Sequence, residues 1–182
     1  MTRPALAALV ATPAQTAGPF YPIHKPQDTD LDLTTIAGRP GRAQGDIIEL
    51  TGRVLFADGT PAGDVLVELW QANAFGRYVH PRDDPKAASD PNFQGFGAVH
   101  TDAQGGFRFR TVKPANYRRR ASHIHFRIAD AGSELVTQMY FPGERLNARD
   151  SLYRRLRSDA SREAATARQV DAARYVWDIV LG

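Results

Sequence analysis

The sequence predicts a mainly β protein, an antiparallel β-sandwich with long loops and a minor C-terminal helix. Three observations lead to this fold class. Short β-prone runs alternate with turn-forming residues through most of the chain, as they do in sandwiches. The run Asp64–Gln71 alternates so that its odd-numbered and even-numbered side chains face opposite sides of a strand. Helix-favouring sequence is confined to the region near the C-terminus.

The length of the chain limits the number of domains. With 182 residues, of which 42% are apolar and 24% charged, it is long enough for one well-packed domain and short for two. We therefore expect a single domain over residues 1–182. Residues 12–45 are rich in Pro, Gly, Thr and Asp and lack periodicity, so residues 1–45 are expected to form an N-terminal arm. Regular structure is predicted to begin at Asp46, and residues 46–182 to form the sandwich core.

The elements follow from local composition in chain order. Ile47–Phe56 is apolar and β-branched, and Ala57–Thr60 supplies turn chemistry after it. After a loop-like stretch, Thr101–Gly106 is expected to be the turn of a hairpin. The other predicted strands are Asp64–Gln71, Phe107–Thr111, His123–Ala129, Glu134–Phe141 and Arg174–Leu181, and helix is favoured at Asp150–Arg157 and Ser161–Ala173.

Composition narrows the classes of function. The formal net charge is +3, and no basic block is interleaved with stacking aromatics, so nucleic-acid binding is not expected. The absence of cysteine excludes disulfides, thiolate zinc sites and thiol nucleophiles. No apolar run approaches the roughly 20 residues needed to span a bilayer, so no membrane association is expected. Ala5–Ala11 is short for the apolar part of a signal peptide, which makes a cytoplasmic location the expectation.

The most informative motif is His123-Ile124-His125. Histidines at i and i+2 of a strand place both imidazoles on one face, where two neutral nitrogens can bind a metal. Tyr117, six residues before His123, offers a phenolate, which suits a hard ion such as Fe(III) better than it suits Zn(II). A histidine pair of this kind is more often structural than metal-binding, so both interpretations stay open on these residues alone.

Five segments carry a resemblance to a known family: ELWQANAFGRYVH, DPNFQGFG, FRTVKPANY, HIHFRI and TQMYF, in that order along the chain. With them the sequence resembles the intradiol ring-cleavage dioxygenases, most closely the iron-binding (beta) subunits of protocatechuate 3,4-dioxygenases. The resemblance runs from TPAQTAGPFYP to the terminal YVWDIVLG, which is essentially the whole chain. Five ordered matches are far more specific than two histidines.

The resemblance implies a mononuclear, non-haem Fe(III) held by two tyrosinates, two histidines and a solvent oxygen. These ligands fall on Tyr78, Tyr117, His123 and His125. The charge count agrees, because Fe(III) with two phenolates and one hydroxide is neutral, and a low-dielectric pocket tolerates a neutral group. His80, spaced i+2 from Tyr78, stays open as an alternative ligand.

Three residues are implied to be catalytic. Arg120 falls where the family has an active-site arginine, whose fixed charge is expected to stabilise the anion that develops on the substrate ring. Gln138 falls where the family has a glutamine that hydrogen-bonds this arginine or the substrate. Tyr117 falls on the tyrosinate that catechol displaces, which links the loss of a ligand to general-base work.

Substrate contacts are expected from Trp70, Pro19 and Tyr21. For Trp70, core packing is an equally good explanation. The arm segment Gly18–Tyr21 is expected to line either the pocket of its own chain or that of a neighbour.

The implied reaction is cleavage of a catechol-type substrate with O2 to a cis,cis-muconate-type diacid. The segment from Tyr117 to His123 is shorter than in protocatechuate enzymes, and Arg118 stands where a tryptophan is expected. These two differences point away from protocatechuate itself. The basic run Arg118–Arg120 favours an anionic catechol, so the expected substrate is protocatechuate or a related anionic catechol. A homo-oligomer and a hetero-oligomer with a related subunit are both compatible with the resemblance. The alternative function is a non-catalytic β-sandwich partner subunit or binding module, because a sandwich alone implies no chemistry.

Overall fold

The computed structural model describes residues 8–83, 86–130 and 132–182. Within these ranges the chain forms two β-sheets and one short α-helix. The strands are β1 (Ile47–Phe56), β2 (Leu66–Trp70), β3 (Phe96–His100), β4 (Gly106–Val112), β5 (His123–Asp130), β6 (Ser133–Tyr140), β7 (Arg168–Gln169), β8 (Arg174–Val176) and β9 (Ile179–Leu181), and the helix is α1 (Asp159–Ala164).

Sheet 1 is built around β1, which pairs antiparallel with β4 and parallel with β8 and β9, while β7 pairs with β8. Sheet 2 has the order β3-β2-β5-β6, and every neighbouring pair in it is antiparallel. The predicted mainly β sandwich is confirmed, although the two C-terminal strands run parallel to β1.

The predicted strand Arg174–Leu181 is divided at Trp177-Asp178, where the chain crosses close over β1. The backbone N–H of Trp177 donates to the carbonyl of Thr51 at 2.9 Å. A Cβ atom on Gly52 would lie 1.9 Å from the carbonyl oxygen of Trp177, so only glycine permits this approach.

The main core lies between the two sheets. Val67 and Leu69 of β2 and Ile124 and Phe126 of β5 have no exposed surface and pack in the same apolar cluster. Because side chains alternate along a strand, the even-numbered residues of β2 and the odd-numbered residues of β5 lie on the outer face of sheet 2. The alternation predicted for β2 is therefore confirmed, and it determines which face carries the histidines.

The hairpin expected around Thr101–Gly106 is wrong. The turn itself forms, since the Asp102 carboxylate accepts hydrogen bonds from the backbone N–H groups of Gln104 and Gly106 at 2.9 and 2.7 Å. However, β3 pairs with β2 in sheet 2 whereas β4 pairs with β1 in sheet 1, so the turn carries the chain from one sheet to the other. Local turn chemistry does not determine which strand becomes the partner.

The helix favoured over Ser161–Ala173 is wrong beyond Ala164. The backbone N–H of Tyr140 donates to the carbonyl of Ala165 at 2.8 Å, and its carbonyl accepts from Ala167 at 2.9 Å. This pairing with the end of β6 holds the chain extended and overrides its helix propensity.

The helix favoured over Asp150–Arg157 is reduced to a 3-10 turn at Tyr153–Arg155, with another at Asn147–Arg149 just before it. No helix in the described ranges is long and apolar enough to cross a bilayer.

Contacts with both sheets hold the described part of the segment before β1 in place. Thr12 donates its backbone N–H to Val180 of β9 at 2.9 Å, and Gln15 donates to Val136 of β6 at 2.7 Å. The arm then crosses the outer face of sheet 2, where Phe20 is 6% exposed. This crossing is what buries the face that carries the histidines.

Candidate active site

His123 and His125 lie side by side on the outer face of sheet 2, and each is 3% exposed. The strand β5 lies between β2 and β6, so His125 stands opposite Trp70 on one side and Gln138 on the other. The i, i+2 spacing thus brings both imidazoles to one buried place, as predicted.

The two imidazoles turn the same nitrogen towards each other, with 3.2 Å between the Nε2 atoms. Nδ1 of His123 lies 2.6 Å from the carbonyl oxygen of Ala121. Because a carbonyl can only accept, Nδ1 carries the proton and Nε2 presents its lone pair. A backbone carbonyl that fixes the tautomer in this way is typical of metal-binding histidines.

Tyr78 reaches the same place from the loop that follows β2. The Asn73 side chain closes this loop by accepting hydrogen bonds from the backbone of Phe75 and Arg77, each at 2.9 Å. Gly76 has φ of +79°, and a Cβ there would lie 2.7 Å from the carbonyl oxygen of Asn116, so this position requires glycine. The Tyr78 hydroxyl lies 3.4 Å from Nε2 of His123.

The side chains of this cluster are uncharged at neutral pH. Burial, assisted by the charge of Arg120, lowers the pKa of His123 to about 4. Burial and the neighbouring His123 hold the pKa of His125 well below its ordinary value. Burial raises the pKa of Tyr78, so the protein alone does not stabilise a phenolate. The donor set therefore fits a highly charged ion such as Fe(III), which itself deprotonates a phenol at bonding distance.

Histidine, cysteine and carboxylate side chains are the usual protein ligands of metal ions. Within the part of the chain that the structure describes, no group of three His, Cys, Asp or Glu side chains is placed to hold a metal. The oxygen atom that the structure brings to the two histidines is the hydroxyl of Tyr78.

Tyr117 lies next to Tyr78 at the base of a tight turn. Its ring is perpendicular to the Tyr78 ring, with 5.6 Å between the centroids, and is half-buried, whereas Tyr78 is buried. The backbones of Tyr117 and Arg120 exchange hydrogen bonds of 3.3 and 2.8 Å across the turn. The fourth expected ligand is therefore adjacent to Tyr78 and is the most exposed of the four.

Arg120 is held beside the histidines by three acceptors. Its guanidinium donates to Asp150 at 2.8 Å, to Oε1 of Gln138 at 2.5 Å and to the Tyr140 hydroxyl at 3.3 Å. Asp150 is fully buried and also accepts from the backbone N–H of Ala121. Burial alone would raise the pKa of Asp150, but the hydrogen bond and charge of Arg120 outweigh it and lower that pKa.

The three residues expected to contact the substrate differ in their position relative to the histidines. Trp70 stacks on His125, with 4.9 Å between ring centroids and 12° between planes. Tyr21 packs edge-on against Trp70, and its hydroxyl donates to Glu68 at 2.8 Å. Pro19 is exposed, and its carbonyl accepts from Arg82 at 3.1 Å. Trp70 thus contacts a histidine of the cluster directly, and Tyr21 contacts Trp70.

His80, the alternative ligand, is not part of the converging set. Its Nδ1 accepts a hydrogen bond from the backbone N–H of Arg82 at 3.1 Å. Its Nε2 is buried but makes no hydrogen bond with any described residue. The ring packs against Phe20 instead, with 5.4 Å between centroids.

Phe20, in the arm segment Gly18–Tyr21 that was expected to line the pocket, packs on Tyr78 at 4.8 Å and on Tyr117 at 5.4 Å between centroids. The sequence interpretation missed two other residues that shape the site, Asp150 and Glu68. Asp150 was placed in a predicted helix, and no local pattern pairs it with Arg120. Glu68, on the outer face of β2, is fully buried, and its position next to Leu69-Trp70 was the available signal.

Comparisons with known proteins agree with this geometry. A sequence model of the family described as "Dioxygenase" matches residues 16–182. The protocatechuate 3,4-dioxygenase beta chain of Burkholderia cepacia is 42% identical over 181 residues, which covers 89% of this chain and 77% of that protein. Catechol 1,2-dioxygenase 2 of Acinetobacter lwoffii is 30% identical over 153 residues, and the match covers 73% of this chain but only 52% of that longer protein.

Solved structures share the fold. The dioxygenase domain of a dioxygenase carbohydrate-binding protein fusion from Streptomyces sp. SirexAA-E superposes with a TM-score of 0.72 and 28% identity, covering 94% of this chain and 98% of that one. Catechol 1,2-dioxygenase from Acinetobacter sp. ADP1 gives a TM-score of 0.69 at 25% identity, covering 94% of this chain and 62% of that one.

Proposed function

The chain belongs to the intradiol ring-cleavage dioxygenase family, and we propose that it cleaves a catechol-type substrate with O2 to a cis,cis-muconate-type diacid. A mononuclear, non-haem Fe(III) is the proposed cofactor, with ligands from Tyr78, Tyr117, His123 and His125.

One observation carries this proposal. The Tyr78 hydroxyl and Nε2 of His125 both lie within 3.4 Å of Nε2 of His123. The place is buried, and neither imidazole is positively charged there at neutral pH. Such convergence of neutral donors is costly unless an ion or a hydrogen-bond network compensates it. The ferric ion, when bound, supplies Lewis-acid chemistry that orients and activates the adjacent oxygens of a catechol.

Tyr117 and Arg120 are assigned separate roles in the proposed reaction. Tyr117 is half-buried on a turn, so its side chain is the ligand that we assign to give way to the substrate and to accept one of its hydroxyl protons. Arg120 presents a permanent positive charge beside the histidines, held by Asp150 and Gln138. A fixed charge of this kind stabilises negative charge that develops on the bound ring without reorganising.

The proposed substrate is protocatechuate or a related anionic catechol. The 42% identical relative is a protocatechuate 3,4-dioxygenase beta chain, and the exposed arginines of the Tyr117 turn favour a negatively charged ring. Because that relative is one chain of a protein with more than one kind of subunit, assembly with a related subunit is also proposed, with a homo-oligomer as the alternative.

Oxygen uptake by the iron-loaded protein tests the function, with Tyr78→Phe as the decisive variant. The wild type should be wine-red from tyrosinate-to-iron charge transfer and should consume O2 with catechols. Tyr78→Phe should blue-shift or bleach the band and reduce turnover by roughly 100-fold or more, as for loss of a principal electrostatic element of an active site.

Tyr175→Phe is the matched control, because Tyr175 is buried in the core between the sheets and packs on Phe141, away from the histidines. It should keep both colour and turnover. A colourless protein that stays inactive after reconstitution with ferric or ferrous iron would refute the proposal.

A further inference from the structure

The structure separates three arginines that are indistinguishable in the run Arg118–Arg120. Arg120 is committed to Asp150 and Gln138. Arg118 and Arg119 form the exposed tip of the Tyr117 turn, and no carboxylate of the described ranges forms an ion pair with either of them. Two uncompensated charges therefore lie on the turn that carries the proposed departing ligand.

Of these two charges, that of Arg118 contacts the proposed departing ligand, Tyr117. The guanidinium carbon of Arg118 lies 5.1 Å from the centroid of the Tyr117 ring, within the range of a cation–π contact. The contact places a positive charge beside the very group whose position the substrate takes in the proposed function. A cation retained there is available to whatever replaces the phenol ring.

The backbone at Arg118 supports a specific role for this residue. Its φ is +51°, and the other described non-glycine residue with positive φ is Asp64, of a type that tolerates this conformation better. Glycine would take the position without strain, yet the chain carries a long cationic side chain there. Strained non-glycine residues of this kind cluster at ligand-binding and active sites.

We propose that Arg118 is a specificity-determining residue that binds the carboxylate or sulfonate substituent of an anionic catechol. The inference rests on the proposed function, because it assumes that the substrate takes the place of Tyr117. The planar guanidinium matches the two oxygens of a carboxylate and forms paired hydrogen bonds with it. Catechol itself offers no such group, so the contact discriminates between substrates.

Substrate discrimination in Arg118→Gly tests the inference, with Arg119→Gly as the matched control. The ratio of kcat/KM for protocatechuate to that for catechol should fall by roughly 10- to 100-fold in Arg118→Gly, the range for losing a hydrogen bond to a charged group. Anaerobic titration should show the same fall in the ratio of the two binding constants. Arg119→Gly should leave both ratios close to wild type.

Stability and a conservative variant keep the test interpretable. Arg118→Gly relieves a positive φ, so its thermal midpoint should equal or exceed that of the wild type. Arg118→Lys keeps the charge without the fork and should recover part of the ratio. An unchanged ratio in Arg118→Gly, or an equal fall in Arg119→Gly, would overturn the assignment of Arg118. The proposed function would still stand if these proteins turned over catechol. A wild type that turns over neither protocatechuate nor catechol would overturn both the assignment and the proposed function.

Discussion

The two faces of sheet 2 both carry buried side chains, but these are buried by different means. On the inner face, Leu69 and Phe126 pack in an apolar cluster against sheet 1. On the outer face, Glu68 and the two histidines are buried beneath the N-terminal arm. The inner face is stabilised by apolar area, whereas the outer face also buries polar groups, which cost free energy wherever they lack a partner.

The attachment of the arm shows what the outer face requires. Glu68 accepts hydrogen bonds from Tyr21 and Lys25 of the arm and from Arg127 of β5. Tyr21 then packs on Trp70, which connects this group to the candidate site. We call Glu68, Tyr21, Lys25 and Arg127 the arm anchor. A carboxylate on a sheet face thus holds a segment that has no regular structure of its own.

The largest effect on stability is expected on the inner face. Phe126→Ala removes a fully buried ring that contacts Phe109 and Trp177, and it should lower the free energy of unfolding by about 3–5 kcal/mol. Denaturant titration measures this loss. Because the Phe126 side chain points away from the histidines, the iron content per folded molecule should stay near that of the wild type. Loss of iron without loss of stability would contradict the division between the faces.

A smaller loss is expected when the arm anchor is broken. Glu68→Ala leaves the Tyr21 hydroxyl and the Arg127 guanidinium without their buried acceptor, at a cost of about 1–3 kcal/mol, moderated because Lys25 and Arg127 can regain water. Denaturant titration again gives the loss. Hydrogen exchange of the backbone amides of the arm around Lys25 should also become faster, because the arm loses its attachment.

Glu134→Ala is the matched control for the arm anchor. Glu134 pairs with the same Arg127, but its side chain is 50% exposed, so its removal should cost about 0–1 kcal/mol and leave hydrogen exchange of the arm unchanged. Equal losses from the two glutamates would show that burial of Glu68 contributes nothing beyond a surface ion pair.

The same contrast explains how far the sequence could predict the molecule. Period-2 alternation separated the two faces of β2, and the i, i+2 spacing in β5 put His123 and His125 together, because alternation is a local property of a strand. The pairing partners of the strands were not predictable from local sequence. Backbone pairing of Tyr140 with Ala165 and Ala167 ends the helix early, and β3 and β4 separate into different sheets across a turn that forms as expected.

The polar pairings of the site were beyond local pattern for the same reason. Asp150 reaches Arg120 across 30 positions of sequence, and Tyr21 reaches Glu68 across 47. The immediate sequence of Asp150 does not distinguish it from a solvated carboxylate, and the apolar neighbours of Glu68 indicate its burial but not its partners. The resemblance to a family supplied Tyr78 and supported Tyr117, and both lie on loops whose conformation no periodicity predicts.

The smallest effect is expected in the pH dependence of stability, which separates the contribution of the Glu68 charge from that of its hydrogen-bonding shape. Burial alone would raise the pKa of Glu68, but the hydrogen bonds from Lys25, Tyr21 and Arg127 outweigh it, so the pKa lies below its ordinary value. A carboxyl whose pKa is lower in the folded state contributes stability above its unfolded pKa of about 4.3, and this contribution is lost as the pH falls through the folded value. Glu68→Gln keeps the shape without the charge, so the wild type should be more stable at pH 7. The difference between the two, measured by urea titration from pH 7 to 3, should shrink below about pH 4.5. Parallel curves across that range would mean that Glu68 holds the arm as a hydrogen-bond acceptor and that its charge adds nothing.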